Sequence, residues 1–356
     1  MMAVAVCIIA SGCAGVSGGV RAALENVDNT IELTDVPFYP QVTDQCGPAA
    51  LATILNVAGV SVEPEALKSR IYIPGREGSL QLELLAATRA YHRLAYSIDP
   101  DLQALLAELT AGRPVLVLQN LGIGLLPVWH YAVVIGYLPR DRKFVLRSGD
   151  MKRYLIDVRR FARTWDRADN WGIVALSPGE LPAQPDARRY LRSVAALESV
   201  GATGAAQASY RAAVGQWPLD NIAWLGLGNA SYALGDLDTA RLAYATMLDL
   251  EPGNLIALNN FAQVSADLGC HRVAHNVIDQ ALSIVEPLDP MERRLRLTRE
   301  DLEIVRALSV TVAAALPNHP SGIQGYGGVL AINAASIDAS ICWRIASIPA
   351  NASASR

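Results

Sequence analysis

The sequence is poor in cysteine, in aromatic side chains and in net charge, and each shortage removes a class of protein. Five cysteines in 356 residues (Cys7, Cys13, Cys46, Cys270 and Cys342) are too few and too scattered for a disulfide framework. None falls in a Cys-x-x-Cys pair or a Cys/His cluster with zinc spacing, so no metal and no other cofactor is expected. Each cysteine must be read alone. A formal net charge of −4 leaves no basic footprint, and nucleic acid is not expected as a partner. What the chain does have is apolar residues, at 51% against 18% charged, and length enough for two domains that each bury a core.

The first residues, "MMAVAVCIIASGCAG", hold an apolar run that ends in Ala-Ser-Gly-Cys. The run is shorter than the roughly 20 residues that cross a bilayer, and it fits the hydrophobic region of a secretory signal. The small residues before Cys13 resemble a bacterial lipobox, although Ala10 stands where Leu is usual and no Lys or Arg precedes the run. The resemblance implies a signal peptide over residues 1–13, a lipid on Cys13, and a protein anchored in the bacterial envelope facing the periplasm. Ala14 and Gly15 lack the aspartate that commonly retains lipoproteins at the inner membrane, which leans toward the outer one. Residues 14–30 are small and polar, as a tether would be.

A first folded domain is expected over residues 31–177. Helical spacing runs from Cys46 to about Ala58, where Gly59 is placed to stop it, and again over Pro64–Arg70, Leu80–His92 and Asp101–Ala111. The pattern then changes to short segments rich in Val, Ile and Tyr: "PVLVLQN", "HYAVVIGYL", "KFVLRS", "RYLIDV" and "NWGIVALSP". Helices followed by consecutive strands predict an α+β domain with an antiparallel sheet. Prolines crowd "SPGELPAQPDA", which marks a linker at 178–186.

Beyond the linker the chain repeats with a 34-residue period. "NIAWLGLGNASYALGDLDTARLAYATMLDLEPGN" carries Trp224, Leu227, Gly228, Tyr232, Gly235, Ala240, Tyr244 and Pro252 at the offsets of a tetratricopeptide repeat, and its neighbours on both sides keep the register. The resemblance implies an all-α tetratricopeptide solenoid of three repeats over 187–288, whose groove would take a protein partner. The last repeat departs from the pattern at Cys270-His271. A charged helix at 289–316 is expected to seal the end. The tail 317–356 has no period and is expected to be disordered.

One stretch carries chemistry. In "TDQCGPAALATIL", Cys46 stands at a helix start, where unpaired N–H groups and the helix dipole favour a thiolate. Gly47 allows close backbone approach, and Pro48 suits a first helical turn. A thiol also needs a base within reach. His130 is the best placed histidine, because it opens the apolar strand "HYAVVIGY" directly after the loop "LGIGLLPVW". That loop, Leu121–Trp129, reads as an apolar subsite, a flap, or a packed connector.

"FYPQVTDQCGPAALATIL", followed by "WHYAVVIGY", resembles the papain-like cysteine peptidases related to the bacteriocin-processing, double-glycine leader peptidases. The likeness covers roughly residues 31–177. It implies Cys46 as nucleophile, His130 as base and Gln41 as oxyanion donor, acting on a peptide or protein substrate. Gln41 lies one residue closer to the cysteine than the family's glutamine, and Gln45 is a second candidate. The family's orienting Asp follows the next strand, which here ends "VLRSGD"; Ser148 takes that place, Asp150 follows and is favoured, and Asp141 is a poorer option. Two readings follow: an envelope-anchored cysteine peptidase or amidase whose repeats recruit substrate, and a non-catalytic scaffold with a degenerate peptidase-like domain. Acyl transfer on the same fold uses the same residues.

Overall fold

The computed structural model describes residues 24, 27–40, 45–76 and 78–315, and the chain divides into two compact units, Met1–Ala213 and Val214–Arg356. Residues 1–13 with Cys13, most of the tether, Gln41 and the tail 317–356 lie outside the described residues.

The first unit is built around helix α1 (Cys46–Val57), whose residues from Gly47 to Leu55 are all buried. A helix apolar on every side has to sit inside a core. Its few polar groups are satisfied locally: Thr53 Oγ1 donates to the Ala49 carbonyl at 2.9 Å, and Asn56 Nδ2 donates to Val62 O at 2.7 Å, fastening the chain that follows. Helices α2 (Pro64–Ile71), α3 (Gln81–Ala90) and α4 (Leu102–Thr110) follow, each within a residue or two of its predicted span.

Seven strands form one antiparallel sheet: β1 (Ile31–Glu32), β2 (Leu94–Ser97), β3 (Val115–Asn120), β4 (Trp129–Leu138), β5 (Lys143–Ser148), β6 (Met151–Asp157) and β7 (Gly172–Leu176). The order is β2-β7-β3-β4-β5-β6, so the last strand in sequence inserts between β2 and β3. The short β1 pairs with β4 at Gly136 and Tyr137, past the point where β3 stops pairing. Any side chain at Gly136 would collide with the Ile31 carbonyl.

The sheet is covered on both faces, which explains the near-continuous Val, Ile and Leu of its central strands. Leu116, Leu118, Tyr131, Val133 and Ile135 pack with α1. On the other face an aromatic row runs from Phe144 to Phe161 (centroids 4.7 Å apart) and on to Trp165 (5.6 Å), both in helix α5 (Val158–Asp166). Sequence reading had missed α5 and β2. Asp157 ends β6 by accepting the N–H groups of Arg159 and Arg160, so the chain switches from strand to helix with no turn residues to announce it. Past the prolines the chain stays on this unit: Glu108 Oε1 accepts from Ala183 N at 2.8 Å, and buried Tyr190 of α6 (Ala187–Glu198) donates to Glu180 O at 3.0 Å.

Helix α7 (Thr203–Gln216) runs across the division between the units. The second unit then holds α8 (Asn221–Ala233), α9 (Leu237–Leu250), α10 (Leu255–Asp267), α11 (His271–Ile284) and α12 (Pro290–Ala315). The repeat period is visible in the caps: Asp220 and Asn254 cap α8 and α10, and Asp236 caps α9. One period after Asp236 comes Cys270, which supplies no side-chain cap. Small residues let the paired helices close up. A Cβ on Gly228 would fall inside the Tyr244 ring.

Candidate active site

Cys46 is the first residue of α1, half-buried and not disulfide-bonded. Gln45 gives the helix start no side-chain cap, and its first turn holds no acid, so the positive end of the helix dipole is left for the thiol. The segment 78–81 presses onto this helix start: a Cβ on Gly47 would lie 2.7 Å from Ser79 Oγ, so only glycine fits after the cysteine. Tyr131 of β4 donates its hydroxyl to the Ser79 carbonyl at 3.2 Å. Burial pushes the Tyr131 phenol well above its usual range, and the negative charges of Cys46 and Glu83 push it the same way, so it stays a hydrogen-bond donor. Ser79 Oγ and Glu83 Oε2 are buried with no hydrogen-bond partner among the described residues. The cavity here, about 680 Å³, is lined by Cys46, Ser79, Leu80, Trp129, Tyr131 and Asp169.

His130 is the second residue of β4, in register with Gln119 of β3. Its Nε2 lies 2.8 Å from Ser148 Oγ at the end of β5. Gln119 donates to Thr164 Oγ1 at 2.7 Å, fixing the floor beside the ring. Burial lowers the His130 pKa from its ordinary 6.5, so the imidazole is neutral at pH 7. Gly149 turns the chain with φ +60°, and Asp150 follows in that turn. Among the described hydrogen bonds and ion pairs none joins Asp150 to His130; the group on the ring is Ser148. Asp141 lies in the turn that leaves the far end of β4.

Helix α1 packs on β4, which brings Cys46 to the strand that carries His130. Trp129 and Tyr131, the two neighbours of His130, form part of the wall around Cys46. His130 itself, with Gln119 and Ser148, lines a second cavity of about 540 Å³ beside Arg160, Arg163 and Arg167 of the α5 region. Alternation along β4 accounts for this: Tyr131 faces α1, and the side chain one residue earlier leaves the opposite face. Ser79, Glu83 and Tyr131 were not singled out from the sequence; only Tyr131, adjacent to the candidate base, carried any signal there.

Residues 33–172 match the family model described as Peptidase_C39 like family, and residues 195–254 match that of the tetratricopeptide repeat. Among solved structures, a C39-like peptidase from Bacillus anthracis is similar at 17% identity and TM-score 0.36, over 42% of this chain and 98% of that one. The peptidase domain of Streptococcus ComA, a bifunctional ABC transporter involved in a quorum-sensing pathway, is similar at 20% identity and TM-score 0.33, over 40% of this chain and 98% of that one. No curated protein matches the sequence.

Proposed function

We propose that this chain, a C39-like peptidase domain followed by tetratricopeptide repeats, hydrolyses a peptide or amide bond through a thioacyl intermediate on Cys46. The observation that carries the reading is the placement of Cys46 at the N-terminus of α1, packed on the strand whose His130 is held through Nε2 by Ser148.

With Nε2 donating its N–H to Ser148 Oγ, Nδ1 is the ring nitrogen left to take a proton. Once the imidazole is brought round to the Cys46 side of β4, it removes the thiol proton, the thiolate adds to the carbonyl carbon, and the imidazolium then protonates the leaving amine. Water, deprotonated by the same nitrogen, releases the acid. The backbone N–H groups opening α1 are oriented for the oxyanion, and Gln41 is the proposed side-chain donor, worth about two to three powers of ten in rate. Asp150 remains the alternative orienting residue. Tyr131 keeps the cavity wall polar next to the sulfur.

The repeats would present a substrate or partner protein, and Cys13 would carry the lipid that holds the chain in the envelope with its domains in the periplasm, at the outer membrane.

One observation favours the non-catalytic scaffold: His130 and Cys46 line different cavities. The rate of Cys46 alkylation by iodoacetamide against pH, in the parent and in His130→Ala, separates the two. A paired thiol labels below the pH at which an ordinary thiol ionises and loses that shoulder in the variant. Identical profiles for both proteins would sink the peptidase reading.

A further inference from the structure

The loop between β3 and β4 is not a packed connector. It is a formed hairpin: Leu121 N donates to Val128 O at 2.8 Å, and Ile123 and Leu126 exchange both backbone bonds at 3.2 and 3.0 Å. Buried Asn120 staples its two ends, with Oδ1 accepting from Gly122 N and Val128 N at 3.0 Å each. Arg167 clamps it from α5's end by donating to the Gly122 carbonyl. Yet the side chains held out by this frame are apolar. Leu125 is 92% exposed, Leu126 71%, Ile123 58% and Trp129 53%.

Monomeric soluble proteins seldom leave so many large apolar side chains together in water, and such a patch marks a surface that something covers. Three features choose the occupant. The stem is paired across the hairpin, Leu121 with Val128 and Ile123 with Leu126, so the apolar side chains are carried on a preformed frame. Beside its base, Leu121 shares a cavity with Arg160, Arg163 and Arg167, exposed cations for which no ion pair is described; Asp166 is the acid among them in sequence. Trp129 stands at the stem, where an amphipathic ring settles at a membrane interface. An apolar tip with arginines beside its base is complementary to an anionic bilayer surface.

We infer that hairpin 121–128 inserts its Leu125–Leu126 tip into an anionic lipid bilayer, with Arg160, Arg163 and Arg167 on the headgroups. Trp129 also lines the cavity of Cys46, so docking sets the mouth of that cavity at the membrane surface. Substrate would then be met at the bilayer rather than in free solution. The inference does not depend on catalysis, nor on a lipid at Cys13.

The test uses the full chain carrying Cys13→Ser, so that no lipid is attached, and flotation with vesicles of phosphatidylethanolamine and phosphatidylglycerol in a ratio of roughly 3:1, against phosphatidylcholine alone. The parent should float with the anionic vesicles. Leu125→Asp/Leu126→Asp should weaken binding about tenfold or more. Arg160→Gln and Arg163→Gln should each weaken it about fivefold, and only on anionic lipid. All four side chains are exposed, so an unchanged thermal midpoint checks that the variants fold. A parent that ignores anionic vesicles, or a leucine variant that floats as well as the parent, overturns the assignment and leaves the hairpin to a protein partner.

Discussion

Nε2 of His130 and Oγ of Ser148 stand 2.8 Å apart across strands β4 and β5, so a neutral hydroxyl occupies the place where the resemblance implies a carboxylate. A hydroxyl can hold the ring by accepting its N–H, but it brings no charge to stabilise an imidazolium. Burial, unopposed by such a charge, leaves the His130 pKa below its ordinary value.

Removing that hydroxyl should cost one hydrogen bond. Ser148→Ala is expected to lower the rate of Cys46 alkylation near neutral pH, and of peptide cleavage where a substrate is found, by about fivefold, the equivalent of a net bond of about 1 kcal/mol. Ser148→Asp should act in the other direction, raising the His130 pKa and moving the acid edge of the alkylation profile upward. An edge that does not move in either variant would separate Ser148 from the chemistry.

Stability should depend on pH through the same ring. His130 in the folded chain has a pKa below 6.5, whereas in the unfolded chain it returns to about that value. Below pH 6.5 the unfolded state therefore binds a proton that the folded state refuses, and stability falls until the folded pKa is passed. Above pH 6.5 both states are neutral and the contribution is flat. Thermal melts of the parent and His130→Gln between about pH 5 and 7.5 should differ in slope on the acid side only.

Arg147 offers a test of how the N-terminal segment is held. Buried in β5, its guanidinium donates to Val36 O at 2.7 Å, to Thr34 O at 3.3 Å and to the Lys152 carbonyl. Arg147→Met leaves these carbonyls without a donor and should destabilise the first unit by about 2–4 kcal/mol in urea unfolding. Lys in its place, with three donors at one point instead of a planar fork, should recover only part of the loss.

In the second unit, Gly228→Ala places a methyl in the Tyr244 ring and should cost about 1–3 kcal/mol, read as a lower midpoint for the helical transition. Asp236→Ala removes the cap of α9 and should cost about 1 kcal/mol. A Gly228→Ala variant as stable as the parent would mean that α8 and α9 can move apart without loss.

Local physics made much of this chain legible in advance. The helix at Cys46 could be read because a cysteine, Gly47 and Pro48 precede a run of good helix formers, and the strands from Val115 onward because β-branched runs alternate with turns. The 34-residue period followed from Gly228, Gly235 and Ala240, small residues that two close-packed helices require. Strand alignment puts Ser148 itself in the expected place, while the glycine before Asp150, which can turn the chain back, favours Asp150 in sequence. What sequence could not decide depends on faces and on distant pairings. Strand β7 inserts between β2 and β3 through pairings with strands far from it in sequence, and α5 begins at Asp157 with nothing but a side-chain cap to start it. Ser79 and Tyr131 meet around Cys46 from two segments far apart in the sequence. The two cavities on either side of β4, and an apolar hairpin left standing in solvent, follow from which way each side chain of a strand points, and that is set by the tertiary packing of the sheet between α1 and α5.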